Sequence, residues 1–211
     1  MAIEVEARFR VEDPEALDRL AEMDRLGDAD LGAAVAVDET DSYLDTADGV
    51  LGAERWACRL RRRHGLHLLS LKGPPEGGAG GWLHRRPEVE GPATEEPDPE
   101  RWPPSEAHDL LDRLRRGRPL VERLALRQLR TERGVSLHGH PIGVLSVDDV
   151  TVVVDGDEVG RFGIVELELA PSLAGDEEAL PPLAAALASI RGLAAEPRSK
   201  LERALQLAGA R

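Results

Sequence analysis

The first ten residues place four charged side chains at alternating positions. These are Glu4, Glu6, Arg8 and Arg10. In a β-strand alternate residues point to the same side, so the four would share one face and the apolar residues between them the other. Two neighbouring carboxylates can hold a divalent cation, and adjacent guanidiniums can hold the anion which that cation brings. The pattern therefore predicts binding of a metal-complexed anion.

Charged faces of the same kind recur in strand-like segments further along the chain. Grouped by segment, they are Arg59, Arg61 and Arg63; Ser70 and Lys72; His84, Arg86, Glu88 and Glu90; and Glu166 and Glu168. Arginine and lysine side chains gathered in one lumen would bind a polyanion, and Mg²⁺ or Mn²⁺ would bridge that anion to the carboxylates. For any single strand, the alternative is a salt-bridged outer face of an antiparallel sheet.

Composition narrows the classes of function. The chain of 211 residues has a formal charge of −13, 3% aromatic residues and one cysteine, Cys58. A nucleic-acid partner is not expected, because such binders are basic and those of single strands use aromatic stacking. The lone cysteine forms no internal disulfide and is expected to be a small buried hydrophobe. Without a membrane-length apolar run or a signal peptide, the chain is expected to be cytoplasmic, with no membrane partner.

Periodicity and chain breakers predict the elements that must position these residues. Strands are predicted over 2–11, 33–46, 56–64, 66–73, 82–90, 119–137, 143–154 and 158–170. Helices are predicted over 14–25, 105–116, 176–190 and 199–207, and a flexible loop over 77–81. Hairpin turns are expected about Gly65 and over 155–157.

The strand order favours a barrel. Most strands are sequential neighbours, which is typical of antiparallel sheets. Eight tilted antiparallel strands can close around side chains or one small ligand. We therefore predict an α+β fold, an eight-stranded antiparallel β-barrel (a tunnel) with helices packed outside.

The opening segment Glu4-Val5-Glu6-Ala7-Arg8 resembles the Glu-x-Glu-x-Lys signature of the CYTH domain, the triphosphate tunnel metalloenzyme superfamily. Other segments resemble that family in the same order, at 43–46, 59–61, 70–73, 86–90, 130–133, 148–149, 166–168 and 199–200. Each motif alone has low specificity, whereas the ordered set is specific. The resemblance implies one domain over residues 1–211, with a tunnel that binds a triphosphate and a divalent metal.

The resemblance also implies residue roles. The implied metal ligands are Glu4, Glu6, Asp148, Glu166 and Glu168, with Glu88 and Glu90 as further candidates. The implied phosphate ligands are Arg8, Arg59, Arg61, Lys72, Arg86, Arg130, Arg133 and Lys200. Glu4, Glu6 and Lys200 are the residues implied to act in catalysis.

Two positions depart from the family pattern. Arg8 stands where the signature has lysine, which keeps the charge but changes the geometry. The family often has two bases two positions apart in the later basic strand, but here Thr131 precedes Arg133 by two. Either one phosphate contact is missing or Arg130 serves in a shifted register, which would exchange the faces. Both departures make reduced activity a reasonable expectation.

The expected activity is Mg²⁺- or Mn²⁺-dependent hydrolysis of a triphosphate. No Walker loop or Ser-His-Asp set is present, so side chains must hold the phosphates. Inorganic triphosphate is favoured over nucleoside or thiamine triphosphate, because no aromatic pocket is evident. The alternatives are a class IV-type adenylate cyclase and a non-catalytic polyphosphate-binding module related to CYTH-CHAD proteins. The expected ligand is a triphosphate or polyphosphate, and a homodimer is left open.

Overall fold

Eight long strands dominate the computed structural model, which describes residues 1–76 and 81–209. In chain order the strands are β1 (Ala2–Val11), β2 (Arg25–Leu26), β3 (Ala29–Leu31), β4 (Val35–Thr46), β5 (Ala57–Arg63), β6 (Leu66–Lys72), β7 (Leu83–Ala93), β8 (Leu120–Leu137), β9 (His140–Val154), β10 (Asp157–Leu169) and β11 (Leu193–Ala195). The α-helices are α1 (Glu15–Glu22), α2 (Val50–Ala53), α3 (Glu106–Arg115), α4 (Leu180–Ala188) and α5 (Lys200–Gly209).

The long strands form a closed antiparallel barrel. Strands β8, β4, β5, β6, β7, β1, β10 and β9 are hydrogen-bonded in that order, and β9 also pairs with β8. Glu6 lies opposite Glu168 and Arg8 opposite Glu166, so the charged faces of β1 and β10 adjoin. The predicted eight-stranded tunnel with a few helices is confirmed.

Three tight turns set the register of the hairpins. The turns at His64-Gly65, His138-Gly139 and Asp155-Gly156 each have two consecutive residues with positive φ. Two such residues make the turn whose twist matches that of antiparallel strands, and glycine accepts the second conformation without strain. The turns predicted about Gly65 and over 155–157 are confirmed. With the registers fixed in this way, alternate residues of each strand point into the lumen.

Four helices cover the outside of the barrel. Helices α1 and α4 bury apolar side chains such as Leu20 and Leu187 against Phe9 of β1. Helices α2 and α3 do the same on β5, β6 and β7, in a cluster that includes Leu111 and Cys58. Cys58 is thus the buried small hydrophobe that was predicted. Burial of these side chains, at about 25 cal/mol per Å² of apolar surface, stabilises the wall that holds the lumen.

The fifth helix packs on one end of the barrel. Here the inward-facing positions turn apolar, at Leu126, Ile164 and Phe162, and Ala204 and Leu201 of α5 pack on them. This end of the lumen is therefore filled by side chains, and the charged part lies toward the other end.

Sequence and structure differ at a few boundaries. The helix predicted over 176–190 is shorter, and the short strands β2, β3 and β11 were not predicted. Most of the loop predicted over 77–81 lies outside the described residues. In residues 1–76 and 81–209, no helix is long and apolar enough to cross a membrane.

Candidate active site

The charged part of the lumen is a cavity of about 500 Å³. Its charged lining residues are Glu4, Glu6, Arg8, Arg59, Arg61, Arg63, Lys72, Arg86, Glu88, Glu90, Arg130, Glu132, Glu166, Glu168 and Lys200. They come from six of the barrel strands and from α5. The structure thus brings together nearly all the residues that the sequence singled out.

Asp148 of β9 is fully buried beneath this cavity. It accepts two parallel hydrogen bonds from Arg130, at 2.7 and 2.9 Å, and another from the ammonium group of Lys200. Such a two-point pair fixes the plane of a guanidinium. Asp148 does not line the cavity. Its contacts therefore favour the orientation of two cations over direct metal ligation.

Lys200 owes its position to the start of α5. The Ser199 hydroxyl accepts a hydrogen bond from the Glu202 amide at 3.1 Å, and the Glu202 carboxylate accepts one from the Ser199 amide at 2.7 Å. This reciprocal pair is a capping box, which fixes where a helix begins. The next residue, Lys200, is buried and points into the tunnel, with its ammonium nitrogen 2.7 Å from Glu166.

A second buried carboxylate, Asp41 of β4, holds two arginines of the neighbouring strand β5. Arg61 donates to it twice, at 2.8 and 2.9 Å, whereas Arg59 contacts it only at 3.4 Å. Gln128 donates to the same carboxylate at 2.9 Å. Burial opposes ionisation of Asp41, but Arg59 and Arg61 lower its pKa well below the usual range. The weaker contacts of Arg59 leave its guanidinium freer to bind a ligand.

Glu4 joins the cations of β6 and β7. It accepts hydrogen bonds from Lys72 and, at 2.9 Å, from Arg86. Glu88 lies next to them and accepts a hydrogen bond from Ser70 at 2.7 Å. Burial works against the charge of Glu4, yet Lys72 and then Arg86 lower its pKa well below the usual range. Glu4 is therefore ionised at neutral pH.

Glu6 and Glu168 lie opposite each other on β1 and β10. Burial, and then the charges of Glu166 and Glu4, raise the pKa of Glu6 to about 7 against the effect of Arg8. Partial burial in the tunnel, and then the negative charges of Glu4 and Glu6, raise the pKa of Glu168 to about 7. Its side chain is nevertheless exposed in the lumen. Like charges facing each other across strands are unfavourable. Together with Glu4, the pair forms an acidic patch on one wall.

The acidic patch offers the oxygen donors that Mg²⁺ and Mn²⁺ prefer. In the described part of the chain, no three Asp, Glu, His or Cys side chains converge as a ready metal site, since Glu4 and Glu6 contact Lys72, Arg86 and Arg8 instead. The donor chemistry and the cross-strand placement fit a divalent ion. Its binding would require these side chains to turn from their present partners.

Replacing Glu6 with glutamine is expected to stabilise the fold at pH 8. A carboxyl group whose folded-state pKa is raised favours the folded state below its unfolded pKa of about 4.5, and that contribution is lost as the pH rises through about 7. Removing the charge should raise the free energy of unfolding by about 1–3 kcal/mol at pH 8, at about 1.4 kcal/mol per pKa unit, and by nothing measurable at pH 4.5. Urea unfolding at both pH values measures it, and an equal change at both would contradict the assignment.

Arg133 does not join the site, which corrects its predicted role. Its guanidinium lies outside the tunnel and donates to the carbonyl oxygens of Gly32, at 2.7 Å, and Met23, at 2.6 Å. Arg130 is the base of β8 that faces the lumen, as the shifted-register alternative proposed. The inward positions two residues away from it hold Gln128 and Glu132, so β8 supplies one base and not two.

Sequence analysis missed several residues of the lumen. They are Glu39, Asp41, Gln128, Glu132 and Ser146. Glu39 contacts Arg61 at 2.8 Å, and Glu132 pairs with Arg63. The signal available in the sequence was the alternation of Glu39, Asp41 and Tyr43 along β4. In the structure, each of these three residues lies directly opposite an arginine of β5.

Comparisons with known proteins agree with this geometry. A family model described as the CYTH domain matches residues 2–205. Among solved structures, the chain is similar to a Hippeastrum protein described as a putative adenylyl cyclase with a dominant triphosphatase activity (TM-score 0.63, 19% identity, 96% of this chain and 95% of that chain). It is also similar to putative adenylate cyclases from Bacillus halodurans (0.55, 20%, 96% and 98%) and Vibrio parahaemolyticus (0.55, 17%, 97% and 98%). A search of curated proteins found no match.

Proposed function

Because the chain belongs to the CYTH domain family, the triphosphate tunnel metalloenzyme superfamily, we propose that it hydrolyses a triphosphate inside its barrel. The observation that carries the proposal is the meeting of two sets of side chains in one cavity of about 500 Å³. Arg59, Arg61, Arg130 and Lys200 form a basic wall, and Glu4, Glu6 and Glu168 form the acidic patch. A ligand that satisfies both is a polyanion accompanied by a divalent cation.

The basic wall would bind the phosphate chain. Arg130 and Lys200 are oriented by Asp148, and Arg61 by Asp41, so these cations are held in place before the ligand arrives. Cations arranged in advance stabilise the charge that develops on a transferring phosphoryl group without further reorganisation. Lys72 and Arg86 lie near the acidic patch and would bind oxygens at that end of the chain.

Glu4, Glu6 and Glu168 would hold Mg²⁺ or Mn²⁺. When bound, the ion would neutralise phosphoryl oxygens and orient the attacking water. Glu168 is the exposed carboxylate of the three, and its outer oxygen would accept the proton of the attacking water. Water oxygen would bond to the terminal phosphorus while the bond to the bridging oxygen breaks, which yields phosphate and a diphosphate.

Phosphate release from a panel of substrates tests the proposal. With Mg²⁺ or Mn²⁺ present, we expect release from inorganic triphosphate faster than from nucleoside triphosphates or thiamine triphosphate. The cavity walls hold one aromatic side chain among the described residues, the buried Tyr43, so they offer little stacking to a base. EDTA should abolish release. If no substrate of the panel is bound and none releases phosphate, the proposed enzymatic function is rejected.

Two further outcomes of the same panel identify the alternatives. Formation of cyclic AMP from ATP would indicate an adenylate cyclase of the class IV type. Tight binding of triphosphate or polyphosphate without turnover would indicate a binding module. The second outcome has a structural basis, because nearly every cation of the lumen is paired with a carboxylate, and these pairs must open for a ligand to bind.

A further inference from the structure

Every nitrogen of the Arg8 guanidinium group donates a hydrogen bond to another group of the same chain. Its side chain is 1% exposed. Nε donates to Glu166 at 2.8 Å, Nη1 donates to the carbonyl oxygen of Arg198 at 2.9 Å, and Nη2 donates to Glu6. Since arginine has five N–H donors in a fixed plane, few remain for a ligand. Arg8 thus differs from Arg59, whose hydrogen bonds to Asp41 and Ser70 are 3.4 and 3.2 Å long.

His84 of β7 links Arg8 to the same stretch of chain. Its Nε2 lies 2.7 Å from the carbonyl oxygen of Glu196, so Nε2 must carry the proton, because a carbonyl oxygen can only accept. Nδ1 is then the acceptor, 3.3 Å from Nη1 of Arg8. Burial, and then the charge of Arg8, lower the pKa of His84 to about 4, which keeps the ring neutral.

The stretch held in this way, residues 196–199, leads directly into α5. The Glu196 amide donates to the carbonyl oxygen of Arg8 at 3.1 Å, so the backbone of Arg8 holds the start of the segment while its side chain holds Arg198. Ser199 then caps α5, and Lys200 follows. Any displacement of residues 196–199 would therefore move the ammonium group of Lys200.

We propose that Arg8 and His84 are positioning residues, which fix residues 196–199 and so hold Lys200 in the tunnel, and that Arg8 does not bind phosphate. The inference rests on the proposed function in one respect, namely that Lys200 binds phosphate. It differs from the role that the family resemblance implies for Arg8. It also gives the Arg8 position a reason to be arginine, because Glu166, the Arg198 carbonyl and Glu6 are bound by three separate nitrogens, whereas lysine has one.

Three variants test this assignment: Arg8→Lys, His84→Ala and the double variant. A positioning role predicts that each single variant lowers kcat for triphosphate by about 10-fold and leaves KM within about two-fold. The double variant should be no worse than the more impaired single variant, because both act through the same segment. His140→Ala, an exposed histidine at the start of β9, is the matched control and should resemble the wild type.

A different pattern would overturn the assignment. If Arg8 binds phosphate as the signature lysine is implied to do, Arg8→Lys should keep kcat unchanged and alter at most KM, and His84→Ala should resemble the wild type. If Arg8→Lys fails to fold, His84→Ala still decides, because it leaves the pairs of Arg8 with Glu6 and Glu166 in place.

Hydrogen exchange of the protein alone separates this inference from the proposed function. The amides of Glu196, Arg198 and Ser199 should exchange at least about 10-fold faster in His84→Ala than in the wild type, while those of α3 are unchanged. Unchanged exchange in all three would reject the positioning role. If the wild type hydrolyses no triphosphate, the proposed function fails, but this measurement still decides whether His84 holds residues 196–199 in place.

Discussion

Replacing Glu6 or Glu4 with glutamine is expected to reduce metal-dependent triphosphate hydrolysis by at least about 100-fold. Glutamine keeps the size of the side chain and one oxygen but removes the charge that holds a divalent cation. Both carboxylates are buried in the lumen, and Glu6 of β1 lies directly opposite Glu168 of the adjacent strand β10. The measurement is phosphate release at saturating substrate over a range of Mg²⁺ and Mn²⁺ concentrations.

A matched control separates this effect from a general loss of charge. Glu22→Gln, at the exposed end of α1, removes the same charge far from the tunnel and should retain full activity. Glu6→Gln should also be more stable than the wild type at pH 8, so its loss of turnover could not come from unfolding. Full activity of both Glu4→Gln and Glu6→Gln would reject the metal assignment.

Asp148→Asn is expected to lower both stability and turnover. The change takes the negative charge from a buried carboxylate that holds Arg130 and Lys200, so it leaves buried cations less well compensated. Breaking such a pair costs about 3 kcal/mol, which corresponds to a fall in Tm of about 6–12 °C for a chain of this size. Thermal unfolding and phosphate release measure the two effects.

The neighbouring residue provides the control for Asp148. Asp149 is exposed on the outer face of β9, so Asp149→Asn should change neither Tm nor activity. The affinity for Mg²⁺ distinguishes orientation from ligation. If Asp148 only orients cations, the affinity should stay within about two-fold of the wild type. A collapse of metal affinity in Asp148→Asn would show that Asp148 is a ligand.

The fold was predictable because its elements carry strong local signals. Strand β1 alternates strictly, and the β5–β6 and β9–β10 hairpins contain glycine at the turn. With strands so well marked, the inward faces of β1, β5 and β10 followed from alternation. The residues on those faces, such as Glu4, Arg61 and Glu166, line the cavity as expected.

The errors arise where charge lies on both faces of a strand. In β8 the run Arg130-Thr131-Glu132-Arg133 gives no clean alternation, so the sequence cannot decide which arginine points inward. The structure decides by register, because Arg130 lies opposite Asp148, whereas Arg133 reaches backbone carbonyls outside the barrel. The local sequence also does not distinguish a carboxylate that would bind metal from a buried carboxylate that orients cations. Asp148, which holds Arg130 and Lys200, is of the second kind.

A crystal grown with Mn²⁺ and a methylene-bridged triphosphate analogue tests the central claim most directly. We predict an anomalous Mn²⁺ peak among Glu4, Glu6 and Glu168, with phosphate density extending from it to Arg61, Arg130 and Lys200. The guanidinium of Arg8 should remain on Glu166 and the Arg198 carbonyl. Phosphate density outside the tunnel, or a Mn²⁺ peak away from these three glutamates, would contradict the account.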